Sequence, residues 1–170
     1  RYKIDMLLVV EGATLEWNTS ANITVKADGA VTALLDGNAV SVVDGVIFLS
    51  PALSVGDHPL SVTVAGDANH NTVVKNVTVA VVPAKSSVSL SNDIKFDYGT
   101  SGSTAVSFSD AKGVTAIVVD HPEAKVDING SLITVSGLNA GSFLLKVTTT
   151  GFDENHTAAT ASVPVTVNKL

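Results

Sequence analysis

The chain has 170 residues, enough for one large domain or two small ones, and its 28 Val and 17 Thr favour β-strands. The net charge of −6, with ten basic residues scattered singly, argues against a nucleic-acid partner. There is no cysteine, so core packing alone must hold each domain together. No apolar run reaches 18 residues, so we expect no transmembrane segment in this chain. The chain begins at Arg1 rather than Met, and we expect it to be a piece of a longer protein.

Alternation of apolar and polar residues predicts half-buried antiparallel strands along the whole chain. The clearest stretches, in chain order, are Ile23–Val25, Val62–Val64, Val77–Val81, Phe143–Val147 and Val163–Val167. Turn signals separate them, and no window shows a helical stripe. We expect about seven short strands in each half of the chain, which is typical of a β-sandwich. Asp44-Gly45 and Asn129-Gly130 fit the type I′ hairpin turn, which needs positive φ at both central residues.

The second half of the chain repeats the first at an offset of about 85 residues. Leu53-Ser-Val-Gly56 returns as Leu138-Asn-Ala-Gly141, Val62-Thr63 as Val147-Thr148, and Val31-Thr32-Ala33 as Val114-Thr115-Ala116. A unit of this length can form its own core. The prediction is therefore an all-β chain of two tandem immunoglobulin-like antiparallel β-sandwiches, residues 1–83 and 84–170, joined by a short, semi-rigid linker that begins at Pro83.

These motifs resemble a known family. The pattern of Tyr98-Gly99, Asn129-Gly130, Leu138-Asn-Ala-Gly141 and Gly151-Phe-Asp-Glu-Asn155 is similar to the bacterial-type Ig-like repeats of adhesin-like surface proteins, which are abundant in methanogenic archaea and occur in some bacteria. The first copy lacks the Tyr-Gly and has Glu16-Trp17 in that region. The resemblance implies an extracellular, cell-surface protein. The copies differ most at Asp67–Asn71 against Phe152–Asn155 and at Glu16-Trp17 against Tyr98-Gly99, where we expect any recognition to lie.

The polar motifs do not predict a metal, cofactor or catalytic site. Asp67-Ala-Asn69-His-Asn71 begins like a calcium loop, but Thr72 and Thr78 stand where that loop needs Gly and an acidic ligand. We therefore expect a hairpin loop whose Asp and Asn side chains cap its own backbone. The four histidines are predicted to be solvated loop or turn residues: His58, His70, His121 and His156. Gly99-Thr-Ser-Gly102 lacks the last glycine and the helix of a nucleophile elbow, so we expect no enzyme activity.

The aromatic residues and the lysines bear on two further possibilities, sugar binding and an internal cross-link. A sugar platform needs exposed coplanar aromatic rings, and four of the aromatic residues share strand faces with aliphatic residues, which predicts that they are core: Phe96, Tyr98, Phe108 and Phe143. Phe48 fits either a core or an exposed position. Tyr2, Trp17 and Phe152 are too scattered in the sequence to predict a platform. A Lys–Asn isopeptide bond needs a buried lysine. Strand phase predicts that Lys26, Lys95 and Lys146 face water and leaves Lys75 as an open candidate.

Five Asn-x-Ser/Thr sequons are candidate glycosylation sites on surface turns and outward strand positions: Asn18, Asn22, Asn76, Asn129 and Asn155. Chance occurrence in a chain rich in Thr and Asn is the alternative. We expect a monomeric fragment of an adhesin-like protein whose modules contribute to cell attachment, with neighbouring Ig-like repeats in the longer chain. The partner would be a surface protein or glycan of another cell. Two alternatives stay open: passive stalk repeats that present a distal binding domain, and accessory modules of a secreted glycan-processing enzyme.

Overall fold

A computed structural model describes residues 2–170, and the described part of the chain contains strands and turns but no helix. The chain divides into two compact units, the first ending at Ala84 and the second running from Lys85 to Leu170. This division lies one residue beyond the predicted one. Each unit has a separate apolar core.

The first unit contains eleven strands in chain order. They are β1 (Ile4–Asp5), β2 (Leu8–Val9), β3 (Ala13–Glu16), β4 (Ala21–Thr24), β5 (Lys26–Ala27), β6 (Val31–Leu35), β7 (Asn38–Val40), β8 (Val46–Leu49), β9 (Gly56–Val64), β10 (His70–Asn71) and β11 (Val73–Val82). One sheet has the order β3-β11-β9-β6-β7, with β3 parallel to β11. The pairs β2-β5 and β4-β8 form the opposite layer. The short strand β1 runs parallel to β10.

The second unit contains the remaining ten strands, of which the first, β12, begins at the boundary residue Ala84. They are β12 (Ala84–Lys85), β13 (Ser87–Leu90), β14 (Ile94–Asp97), β15 (Gly102–Ser109), β16 (Gly113–Val118), β17 (Lys125–Asn129), β18 (Leu132–Ser136), β19 (Gly141–Thr150), β20 (His156–Thr157) and β21 (Thr160–Asn168). Its two sheets have the orders β13-β15-β18-β17 and β14-β21-β19-β16, and β12 pairs with β20. In immunoglobulin notation these sheets are A-B-E-D and A′-G-F-C, so the unit has the constant-type arrangement.

The repeat seen in the sequence is also present in the strand register. The equivalent antiparallel pairs are Thr32 with Thr63, Ala33 with Val62, Thr115 with Thr148, and Ala116 with Val147. In each unit the alternation places the repeated valines of the F strand (β9 and β19) and of the G strand (β11 and β21) inside. The fully buried side chains include Leu60, Val62 and Val79 in the first unit and Leu145, Val147 and Val165 in the second. Burying each such side chain stabilises its unit by about 1.5–3 kcal/mol.

The units differ in which sheet contains the strand that lies between the C and E strands in the sequence, β7 in the first unit and β17 in the second. In the second unit β17 pairs with β18, the E strand, from Lys125↔Ser136 to Asn129↔Leu132. In the first unit β7 pairs with β6, the C strand, and therefore belongs to the opposite sheet. The E strand β8 then has β4 on one side and only the single bridge Val43↔Val46 on the other. The edge of β8 is consequently open in the first unit.

Of the two predicted type I′ turns, the structure confirms one and contradicts the other. Asp44 (φ 51°) and Gly45 (φ 72°) both have positive φ inside the bridge that closes them, which confirms this turn. The prediction for Asn129-Gly130 is wrong by one residue, because Asn129 is a strand residue paired with Leu132. The central residues are Gly130 and Ser131, and positive φ occurs only at Gly130 (φ 60°), as in a type II′ turn.

Candidate functional site

The two loops between the F and G strands form the same polar structure. In the first unit, the Asp67 carboxylate Oδ1 accepts hydrogen bonds from the Asn69 backbone N–H (2.7 Å) and from His70 Nδ1 (2.8 Å). In the second unit, the carboxylate of Asp153 accepts the same two bonds, from the Asn155 N–H (2.9 Å) and from His156 Nδ1 (2.7 Å). The bond from the Asn69 N–H confirms the predicted self-capping of the first loop for the Asp67 side chain.

The expectation that these loops differ between the copies is wrong. Asp67-Ala-Asn-His70 and Asp153-Glu-Asn-His156 are the same motif, displaced by one residue from the offset of the preceding strands. In both loops the pKa of the aspartate is lowered, and the hydrogen bond from the histidine is the largest cause. The motif therefore closes a loop in each unit and does not distinguish the units.

No three His, Asp or Glu side chains of residues 2–170 converge as a metal site would require. In the loop that resembles a calcium site, the Asp67 carboxylate is already engaged by its own loop. The Thr72 hydroxyl, at the position where calcium loops have glycine, accepts a hydrogen bond from the Gly66 N–H (2.8 Å). These contacts show that the polar residues Asp67 and Thr72 close the loop.

Two predictions for the histidines are wrong: that His156 is a solvated loop residue, and that His58 is a turn residue. The His156 side chain is only 9% exposed, because its loop folds onto the turn at Asp110 and brings Nε2 to 3.7 Å from that carboxylate. His58 lies within β9 and is buried, not in a turn. Its Nδ1 is 2.6 Å from Asp36 Oδ2, and its Nε2 is 2.7 Å from the Ser54 carbonyl oxygen. Since both ring nitrogens face acceptors, the protonated imidazolium satisfies the site best, and the pKa of His58 is raised, chiefly by the Ser54 bond and next by Asp36.

The position of His58 is filled by an aromatic residue in the second unit. His58 pairs with Val79 on the G strand, and Phe143 pairs with Val165 at the equivalent place. The ring of His121 packs edge-on against Phe143, with centroids 4.7 Å apart at 90°. A polar clamp in the first unit thus corresponds to an aromatic contact in the second.

Glu16-Trp17 and Tyr98-Gly99, predicted to differ between the copies, form the same turn. The Trp17 N–H donates to the Val82 carbonyl at 2.8 Å, and the Tyr98 N–H donates to the Asn168 carbonyl at 2.9 Å. The residue after each aromatic has positive φ, 63° at Asn18 and 85° at Gly99. Trp17 is therefore the counterpart of the tyrosine that the first copy was expected to lack, and the sequon residue Asn18 takes the glycine position.

Two aromatic residues predicted to be core are exposed at the surface. Tyr98 is 49% exposed because β14 ends at Asp97 and the alternation stops there. Phe108 is 39% exposed because the pairing of β15 with β18 ends at Ala105. Phe108 is therefore paired with Val88 on one side and has no register partner on β18. Phe96 is buried and Phe143 packs against the second core, as predicted. Phe48, left open by the sequence, is 62% exposed.

The sequon asparagines lie in different settings. Asn18 is in the turn described above, Asn22 and Asn76 are exposed residues of β4 and β11, and Asn129 ends β17. Asn155 is half-buried in its loop. The register places Asn22 opposite Phe48, whereas Asn76 lies opposite Ser61. Asn22 is thus the sequon asparagine whose cross-strand neighbour is an exposed aromatic ring.

The lysines considered for an isopeptide bond are all exposed, including the open candidate Lys75. The other three are Lys26, Lys95 and Lys146. Because the bond needs a buried amine, these side chains cannot form it in this fold. Among the described residues, no helix has the length and apolar character to span a membrane.

Comparison with known proteins identifies the fold class. No family model and no curated protein sequence matches the chain. The structure is similar to extracellular domains 3–5 of Drosophila OTK, with a TM-score of 0.54 and 14% identity over 96% of this chain and 62% of that one. It also matches fibronectin(III)-like modules of Clostridium thermocellum CbhA (TM-score 0.39, 15% identity, 96% and 95% coverage) and Drosophila N-cadherin EC1-4 (TM-score 0.43, 17% identity, 98% and 50% coverage). The chain is a tandem of immunoglobulin-like β-sandwiches.

Proposed function

We propose that these tandem modules belong to an extracellular adhesin-like surface protein, of bacterial or archaeal type, and contribute to attachment to a surface protein or glycan of another cell. The similarity to extracellular domains of OTK supports an extracellular setting. The proposal rests mainly on one structural observation. Both units expose apolar residues at the same place on the outer face of the sheet that contains the C, F and G strands.

The exposed apolar surface of this sheet is what attachment would use. In the second unit Ile117 is 57% exposed and Leu144 is 42% exposed, and Pro164 pairs with Leu144 on the neighbouring strand. In the first unit Leu34 and Pro59 hold the equivalent positions, and Leu34 is 46% exposed. Exposed apolar residues on the outer face of an antiparallel sheet, interspersed with polar residues such as Lys146 opposite Ile117, can form an interaction surface. Since the sandwich fold itself needs only the inner faces, these outer residues are free to serve recognition.

The test is binding of the fluorescently labelled two-unit chain to whole cells of candidate partners, compared with an unrelated tandem β-sandwich of similar charge. We expect saturable binding that falls about tenfold or more when Ile117 and Leu144 are both changed to Ser. Ile128→Ser is the matched control, because Ile128 is 42% exposed but lies on β17 in the opposite sheet. If Ile128→Ser lowers binding equally, the binding is non-specific hydrophobic adsorption, and the proposal is contradicted.

A passive stalk is the second candidate, and one feature favours it. The outer face of the second unit's other sheet carries a ladder of paired hydroxyls: Ser89 with Ser107 (2.9 Å), Ser103 with Thr134 (2.9 Å), and Ser87 with Ser109. Hydroxyls that already bond one another suit a spacer that avoids contacts. On this alternative, the labelled chain binds cells no better than the unrelated sandwich. Accessory modules of a glycan-processing enzyme form the third candidate, which a catalytic domain in the longer protein would favour.

A further inference from the structure

We propose that Asn22 carries an N-linked glycan whose first sugar packs on the ring of Phe48 and covers the open edge of β8. This is a structural role for one sequon, and it does not depend on the attachment role. It requires only that the chain passes through a compartment that glycosylates proteins.

The strand register brings Asn22 and Phe48 together. Val46 exchanges both of its backbone hydrogen bonds with Val43, each at 2.9 Å. The backbone N–H and C=O groups of successive residues point to alternate sides of a strand. The N–H and C=O of Phe48 therefore point the same way as those of Val46, away from β4. Asn22↔Phe48 is consequently a non-hydrogen-bonded pair. Side chains of such pairs approach most closely, with Cβ atoms about 4.5–5.5 Å apart. A sugar on Asn22 therefore begins beside the ring.

The first unit leaves this region uncovered, whereas the second unit covers it. Strand β17 lies along the equivalent edge of β18, and the register partner of Thr134, the counterpart of Phe48, is Asp127. In the first unit the corresponding strand has moved to the other sheet. Phe48 and Val43 are each 62% exposed beside a surface hollow of about 340 Å³, which is otherwise lined by Val40, Ser41 and Val46. An open strand edge with exposed apolar side chains is a site of unwanted pairing unless something covers it.

The sequon is accessible and its neighbour suits a sugar. Asn22 and Thr24 both point to solvent, and the intervening Ile23 is buried, so the acceptor and its hydroxyl are on one exposed face. A pyranose presents C–H groups on one face, which pack on the electron-rich face of an aromatic ring. The other two sequon asparagines in paired strands face Ser61 (Asn76) and Leu132 (Asn129), which offer no ring.

The experiment uses the whole chain, secreted from a host that attaches N-glycans, with Asn18→Gly, the residue of the second unit's turn, so that no sugar lies beside Trp17. Glycopeptide mass spectrometry measures occupancy, and the fluorescence of Trp17, the chain's single Trp, reports unfolding of the first unit. We expect the Asn22 glycan to raise the melting temperature by about 3–6 °C with Phe48 present, and by less than about 1 °C after Phe48→Thr, the residue of the second unit. Trimming the Asn22 glycan to its single protein-linked sugar should keep this rise in melting temperature. A glycan on Asn76 should cause no change in melting temperature that depends on Phe48.

Three results would overturn the proposal. The first is an Asn22 that stays unmodified in the secreted chain. The second is a glycan on Asn22 whose stabilisation is the same with Phe48 and with Phe48→Thr. The third is a concentration-dependent dimer of the glycosylated chain that Phe48→Thr abolishes, because it would show that a second copy, and not the sugar, covers this edge.

Discussion

The charged clamp between His58 and Asp36 should stabilise the first unit in a pH-dependent way. The His58 side chain is 9% exposed, and when it is protonated it donates through both ring nitrogens, at 2.6 Å to Asp36 and 2.7 Å to Ser54. Asp36→Asn keeps the size and tolerates the positive φ of 53° but removes the charge. Hydrogen bonds to charged groups contribute about 1.5–3 kcal/mol, and the 40% exposure of the Asp36 side chain reduces this to about 1–2 kcal/mol.

The sign of the pH dependence follows from the raised pKa of His58. A group whose pKa is higher in the folded state binds its proton more tightly there. Its stabilisation is complete below the ordinary histidine value near 6.5 and is lost as the pH rises through the raised folded value. The cost of Asp36→Asn should therefore be largest at about pH 5.5 and less than half as large at about pH 9.

Urea unfolding followed by Trp17 fluorescence measures this cost in the first unit. Asp44→Asn is the matched control, because Asp44 is also an aspartate with positive φ (51°) before a glycine. It should change the free energy of unfolding by less than about 0.5 kcal/mol at both pH values. An Asp36→Asn cost that is independent of pH, or no larger than that of Asp44→Asn, would show that the charge pair of His58 and Asp36 does not stabilise the first unit.

Three further predictions concern the fold. Leu145→Ala should destabilise the second unit by about 2–5 kcal/mol in urea unfolding, and Ile117→Ala on the outer face by less than about 1 kcal/mol, because only the first opens a cavity. Gly45→Ala should cost more in the same assay than Gly37→Ala, because both have positive φ but only the Cβ at 45 would lie 2.9 Å from a backbone carbonyl; equal costs would exclude that clash. An NMR titration should show that the pKa of the Asp153 carboxyl is below its ordinary value, so the stabilising bond from His156 is lost only as the pH falls through that lowered pKa. An ordinary pKa would show that His156 does not bind this carboxyl.

Local signals in the sequence predicted the strands and the fold class. Alternation is a property of each segment, so Val62, Val147 and Val165 could be assigned to the core without a structure. The Asp44-Gly45 turn followed from the positive φ that its hairpin needs. These features depend on neighbours in the chain, and the repeat supplied the remaining evidence for two units.

Features that depend on distant parts of the chain could not be predicted. Nothing in Asn38–Val40 or Lys125–Asn129 shows that the first pairs with the C strand and the second with the E strand, because either sheet satisfies the alternation. The open edge beside Phe48 follows from this choice and was therefore not visible. The equivalence of the loops at Asp67 and Asp153 was missed for another reason. A one-residue insertion changes the offset, and only the shared hydrogen bonds reveal the alignment.

The role in attachment is tested most directly with beads that carry the two-unit chain, applied to cells of candidate partners in the presence of increasing soluble chain. We expect the beads to adhere and the soluble chain to displace them, whereas a soluble chain with Ile117→Ser and Leu144→Ser should not displace them. Beads that adhere no more than beads carrying an unrelated tandem β-sandwich, on every cell type tested, would contradict attachment and favour a passive stalk.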